Sequence, residues 1–153
     1  MIDITIVIPV YNSEGNLIEL SDQIRHNLQN VNFELILIND QSKDDCWNII
    51  KQLTCKYKNI IGLNLRKNSG QDNAIFAGIN YAKGEYIVIM DDDLQHSPSD
   101  ILKLYNEIRK GHDVCYANFE KKRQLLWKNM GSWLNGKLEE VIIDKPVNIY
   151  LSP

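Results

Sequence analysis

Cysteine, proline, long apolar runs and excess positive charge are all scarce in this chain. Its three cysteines, Cys46, Cys55 and Cys115, are odd in number and widely spaced. They fit neither a disulfide framework nor a zinc cluster, and read as free thiols of a reducing cytoplasm. No stretch of roughly 18 consecutive apolar residues occurs, so no transmembrane helix is expected. The opening run Ile2–Ile8 is short, carries an early acid at Asp3 and meets Pro9, unlike a secretory signal. The 17 Lys and Arg residues stand against 20 Asp and Glu, a net charge of −3, which points away from nucleic acid. A Walker phosphate loop, a Gly-x-Gly-x-x-Gly turn and a Gly-x-Ser-x-Gly elbow are all missing, which argues against the corresponding nucleotide-binding and hydrolase classes. Repeats and low-complexity segments are absent too. What remains is ordinary: 153 residues, 44% hydrophobic and 24% charged, the make-up of one soluble globular domain.

Short β-branched runs alternate with stretches of helical period. Asp3–Ile8, Phe33–Ile38, Ile60–Leu65 and Tyr86–Met90 read as strands. The last is apolar on both faces and so is expected to be central. Between them, Leu17–Leu28, Asp44–Leu53 and Asn73–Ala82 read as helices, the second capped by Ser42 or Asp44 and the third stopped by Gly84. Ala74, Ala77, Gly78 and Tyr81 give the third a face of small residues able to approach a sheet closely. A helix opening at Ser97-Pro98 runs to about Arg109, with Pro98 near its first position. Val114–Phe119 is a candidate fifth strand, and Lys121–Val141 is basic, amphipathic and helical in pattern despite Gly131 and Gly136. The repetition predicts an α/β fold, an open, mostly parallel sheet with helices on both faces. The final stretch Pro146–Pro153 closes without a polar tail or a finished element, so the chain is expected to continue in a longer protein.

Ligands of such sheets bind beyond the carboxyl ends of the strands. There this sequence places Pro9-Val10-Tyr11-Asn12-Ser13-Glu14, then Asn39–Asp44, then Arg66–Asp72, then Asp91-Asp92-Asp93-Leu94-Gln95-His96. Tyr11 can stack on a base, Asp40 can accept from a ring N–H, and the cationic loop can hold phosphate. Three acids directly after an apolar strand repel one another unless a hard cation sits among them; Mg²⁺ or Mn²⁺ takes one or two carboxylates and fills its shell with water and phosphate oxygens. In extended backbone Asp91 and Asp93 point one way and Asp92 the other, and Gln95 could add a carbonyl oxygen. A solvated acidic turn is the bland alternative. His96 suits a surface or capping role better than a ligand role. His26 and His112 read as solvated, and Trp47, Trp127 and Trp133 as packing residues.

Val7-Ile8-Pro9-Val10-Tyr11-Asn12, Ile38-Asn39-Asp40-Gln41-Ser42, Asn68-Ser69-Gly70 and Met90-Asp91-Asp92-Asp93-Leu94-Gln95-His96 resemble, in order and spacing, the inverting GT-A glycosyltransferases of family two. The Asp-x-Asp-Leu-Gln-His form is similar to the polyprenyl-phosphate branch, which includes dolichol-phosphate mannose synthases and undecaprenyl-phosphate sugar transferases. The resemblance covers roughly residues 3–119. It implies a GT-A fold, a nucleotide-diphospho-sugar donor, a lipid-phosphate acceptor at the inner face of the membrane, and Mg²⁺ or Mn²⁺. It implies a catalytic role for Asp93 and donor contacts from Pro9, Tyr11, Asn12, Glu14, Asp40, Lys67, Gly70, Asp91 and Asp92. Asp91, Asp93 and Gln95 would hold the metal. Residues 1–119 would form the nucleotide-sugar core of a single catalytic domain and 120–153 the start of an acceptor or membrane-proximal region.

Some residues depart from the family pattern. Ser13 stands where Glu is usual, Asn39 and Gln41 replace the commoner Asp and Gly, Ser69 replaces Phe, and Phe119 falls where several relatives have arginine. Lys121, Lys122 and Arg123 could supply that last charge. Lys121–Lys145 mixes six lysines and arginines with Leu125, Leu126, Trp127, Trp133, Leu134 and Leu138, and fits either an anionic membrane surface or packing on the sheet. A transferase acting on a saccharide hydroxyl, or a nucleotide-sugar binder without turnover, is the competing functional reading.

Overall fold

The computed structural model describes residues 1–117, and the chain divides into two units after Ala117. The readings made for Phe119, the Lys121–Val141 helix, Trp127 and Trp133 lie outside the described residues. The elements follow in the order β1 (Ile4–Val10), α1 (Leu17–Asn27), β2 (Phe33–Asn39), α2 (Cys46–Lys56), β3 (Ile60–Asn64), α3 (Gln71–Tyr81), β4 (Tyr86–Ile89) and α4 (Ser99–Ile108). All strand pairs are parallel, in the order β3-β2-β1-β4. The chain therefore winds outward from β1 through β2 to β3, then crosses back to place β4 on the other side of β1. That reversal opens a crevice at the carboxyl ends of β1 and β4, the usual ligand position in such sheets.

The period of two sorts the core into two layers. Ile4, Ile6, Ile8 and Val10 of β1, with Leu35 and Leu37 of β2, pack under Leu17, Leu20 and Ile24 of α1, Ile50 and Leu53 of α2, and Ile101 of α4. Val7, Ile36 and Ile38 face the other way, against Ala74 of α3. Burying each such aliphatic side chain contributes about 1.5–3 kcal/mol. The small-residue face of α3 does allow close approach: a Cβ on Gly78 would stand 2.6 Å from Val7 Cγ1 and 2.8 Å from Ile38 Cδ1.

Four local expectations need correction. Within the described residues β4 is an edge strand, not a central one: Ile87 and Ile89 are 42% and 52% exposed. Its apolar run is the same on both faces, and composition cannot say whether a second neighbour is present. Residues 114–117 form no strand, and Val114 and Tyr116 stand 62% and 77% exposed with no ladder partner. The helix α2 begins at Cys46, because Asp44 turns back to accept from the Cys46 N–H at 3.2 Å and so holds the preceding turn. Helix α3 ends at Tyr81 with Ala82 already extended. Gly84 serves a different purpose, a close approach to β1.

Candidate functional site

The first, second and fourth strands each end in a loop held by a residue with left-handed backbone: Asn12 at φ 53°, Gln41 at 57° and Leu94 at 58°. Asparagine tolerates this region, whereas a glutamine or leucine there carries a steric cost of about 1–2 kcal/mol. Gln41 is exposed and makes no hydrogen bond within the described residues. Gln41→Gly is expected to stabilise the protein by up to about 1 kcal/mol, part of the relief being lost to the freer unfolded chain. A rise in the urea midpoint at unchanged slope would show it; a fall would mean that the loop conformation is set by the glutamine side chain.

The loops enclose a cleft of about 490 Å³ lined by Pro9, Val10 and Tyr11 after β1, Asp40 after β2, Asn68, Gly70 and Gln71 at the start of α3, and Asp91, Asp92 and Asp93 after β4. Of the residues expected at the site, Pro9, Tyr11, Asp40, Gly70, Asp91, Asp92 and Asp93 are thus brought together. Tyr11 is 46% exposed, so part of its ring is available to a ligand. Lys67 lines a neighbouring hollow with Asn68, Ser69 and Asn73.

Asn12 and Glu14 turn instead toward the loop after β2. Asn12 Oδ1 accepts from Lys43 N–H at 2.8 Å, and Glu14 Oε2 accepts from Asp45 N–H at 2.7 Å. In return Asp44 accepts from Glu14 N–H at 3.0 Å. Burial pushes the Asp44 carboxyl up, but hydrogen bonds from the Cys46 thiol and the Glu14 and Cys46 amides outweigh it, and the group sits below its usual range. Burial, then the neighbouring Asp44, pushes the Cys46 thiol above its usual value, so Cys46 is a protonated core residue. Gln95 donates its N–H to Asp93 Oδ1 at 2.9 Å, and its side chain is not among those lining the cleft.

Asp40 is 3% exposed, and both of its oxygens are engaged: Oδ1 accepts from Ser69 N–H at 2.7 Å and Oδ2 from Gly70 N–H at 2.9 Å. Each oxygen keeps a second lone pair, and Asp40 is among the residues lining the cleft. Gly70 begins α3 at φ 87° and ψ 158°, a region essentially confined to glycine. Asp91 Oδ1 accepts from the Gln71 side-chain amide at 2.8 Å. Asp92 Oδ2 accepts from Tyr11 N–H at 3.3 Å and from the Ser13 hydroxyl. Asp93 is exposed, with only its Oδ1 engaged. The segment is bent and not extended, so the expected alternation does not sort the triplet: all three carboxylates line the cleft, and the middle one also bonds the β1 loop. Sequence reasoning did not select Gln71 or Ser13; the position of Gln71 directly after the glycine that starts α3 was the one local hint.

Four carboxylates line this cleft, and no Lys or Arg is among its described lining residues. A diphosphate could approach only with a cation between it and the acids. Among the described residues no three His, Cys, Asp or Glu side chains come together as a cage. The available donors are hard carboxylate oxygens of Asp91 and Asp93, which suit a cation that completes its shell with water and ligand phosphate. Such a donor set suits a hard cation such as Mg²⁺ or Mn²⁺ better than a soft metal.

The model of glycosyl transferase family 2 matches residues 5–148. A dolichol-phosphate mannosyltransferase of Pyrococcus furiosus is 36% identical over 115 residues, covering 75% of this chain and 32% of that protein. An undecaprenyl-phosphate 4-deoxy-4-formamido-L-arabinose transferase of Aeromonas hydrophila is 31% identical over 152 residues, covering 97% of this chain and 45% of that one. The chain thus spans less than half the length of either. Among solved structures, the mannosyltransferase PcManGT of Pyrobaculum calidifontis, in complex with GDP-Man and Mn²⁺, superposes with a TM-score of 0.59 at 20% identity over 69% of this chain and 31% of that one. TarS of S. aureus in complex with UDP-GlcNAc gives 0.59 at 21% identity over 78% and 39%. These likenesses establish a GT-A-like α/β fold.

Proposed function

The chain belongs to glycosyl transferase family 2, and from that premise we propose that its cleft binds a nucleotide-diphospho-sugar whose sugar is passed, with inversion, to a polyprenyl phosphate. The observation that carries this reading is the juxtaposition of a half-exposed aromatic, a buried Asp and an acidic triplet around one cleft at the switch point of the sheet. Tyr11 and Pro9 flank the nucleoside, with the unused lone pairs of Asp40 available to a ring N–H. Asp91 and Asp93 would hold Mg²⁺ or Mn²⁺, which would supply positive charge to offset that on the leaving diphosphate. Asp93 is the residue assigned to catalysis: it is exposed, lines the cleft, and has one carboxylate oxygen without a hydrogen bond among the described residues. Gln71 keeps Asp91 oriented. Lys67, on the adjoining hollow, adds positive potential beside the phosphates. A lipid phosphate is already anionic near neutral pH and needs no general base. No helix among the described residues is long and apolar enough to cross a membrane.

Calorimetric titration with UDP and GDP, with and without Mn²⁺, tests the donor half of this reading. Binding is expected only with the metal, and Asp93→Ala is expected to weaken it at least about tenfold, the scale seen when groups supporting a metal site are removed. Equal binding by the folded variant would remove Asp93 from the site, and metal-independent binding would remove the cation.

A further inference from the structure

The loop between β1 and α1 is fastened to the acidic loop at one residue. Tyr11 N–H and Ser13 Oγ–H both donate to Asp92 Oδ2, and Asn16 Nδ2 donates to the Asp92 carbonyl at 3.1 Å. Ser13 is itself anchored from below, its N–H donating to the buried Cys46 thiol at 3.3 Å. It does not line the cleft, and no donor-binding role falls to it.

We propose that Ser13 is a positioning residue for the nucleoside half of the donor site. Through Asp92 it sets the Tyr11 backbone, and with it the exposed ring, against Asp91 and Asp93. This rests on the reading that the cleft takes a nucleotide-diphospho-sugar. Without the hydroxyl, Asp92 Oδ2 would retain a single donor at 3.3 Å, near the long limit for an N–H···O bond. The carboxylate could then rotate and the Tyr11 segment drift. Asp91, held from α3 by Gln71, and Asp93, turned by its own loop, do not depend on Ser13. The two halves of the donor should therefore respond differently.

The test compares UDP or GDP with inorganic pyrophosphate, each in Mn²⁺, against the unaltered chain, Ser13→Ala and Ser13→Thr. Ser13→Ala is expected to weaken the nucleoside diphosphate at least about tenfold, the value of one hydrogen bond to a charged group, and to leave pyrophosphate within about twofold. Ser13→Thr, which keeps the hydroxyl, should restore nucleotide binding. If Ser13→Ala proves unfolded, Ser13→Val against Ser13→Thr makes the same comparison at equal shape. Equal losses for both ligands, no loss at all, or no rescue by threonine would each overturn the proposal. If the unaltered chain binds neither nucleotide, the donor reading fails and the proposal with it; if it binds and Ser13→Ala binds as well, the positioning role alone falls.

Discussion

Asp40→Asn is expected to lower stability by about 1–3 kcal/mol, the range for leaving a buried peptide donor unsatisfied. It is also expected to cost at least about tenfold in nucleotide affinity, since about 1.4 kcal/mol of lost binding already amounts to that. The carboxylate is buried at 3% exposure and receives the Ser69 and Gly70 N–H groups on separate oxygens. Asparagine keeps one acceptor, but its amide nitrogen must face the other peptide N–H, donor against donor. Release of residues 67–70 would loosen Gly70, which starts α3 in a backbone region no other residue adopts readily. It would also move Asn68 and Gly70, two of the residues that line the cleft. With a total stability of about 5–15 kcal/mol the variant should stay folded near room temperature, so urea denaturation and calorimetry can be run on the same sample. An unchanged denaturation midpoint would show that the two amides find other partners.

Gly84→Ala should be worse tolerated than any substitution in the helical small-residue face. Its Cβ would lie 2.5 Å from Thr5 N and 2.7 Å from Ile4 C, both backbone atoms of the central strand, and 2.8 Å from Thr5 Oγ1. A backbone neighbour inside a sheet cannot yield. The turn is also held from beneath by a buried polar network. Glu34 Oε1 accepts from Thr5 Oγ1–H and from Lys83 N–H, each at 2.7 Å, and Thr5 Oγ1 accepts from Gly84 N–H at 2.8 Å. Moving the turn to admit a methyl would break that network as well. The expected loss is about 3 kcal/mol or more, above the common range for overpacking. Gly78→Ala offers the control, because its Cβ meets only the side-chain ends of Val7 and Ile38. That substitution should cost about 1–3 kcal/mol. A smaller loss at Gly84 than at Gly78 in thermal unfolding would refute the close-approach argument.

The order of elements and the residues at the strand ends could be read from the chain alone. A period of two in the strands and of 3.6 in the helices is a local property, set by backbone geometry within a few residues. Pro9, Tyr11, Asp40, Gly70 and the acidic triplet were expected at one edge for the same reason, and they do line one cleft. Packing decided how the carboxylates are used. Asp40 bonds amides 29 and 30 residues away, and Asp92 bonds a hydroxyl 79 residues away. Asn12 and Glu14 clasp a loop about 30 residues on instead of lining the cleft. No local pattern encodes such partners, because they depend on which strand lies beside which. Within the described residues, the edge position of β4 and the close approach of Gly84 belong to the same class. Local patterning is enough to gather this chemistry at the carboxyl edge, whereas packing sets which side chains line the cleft and which hold the loops, since hydrogen-bond geometry follows from strand order and register.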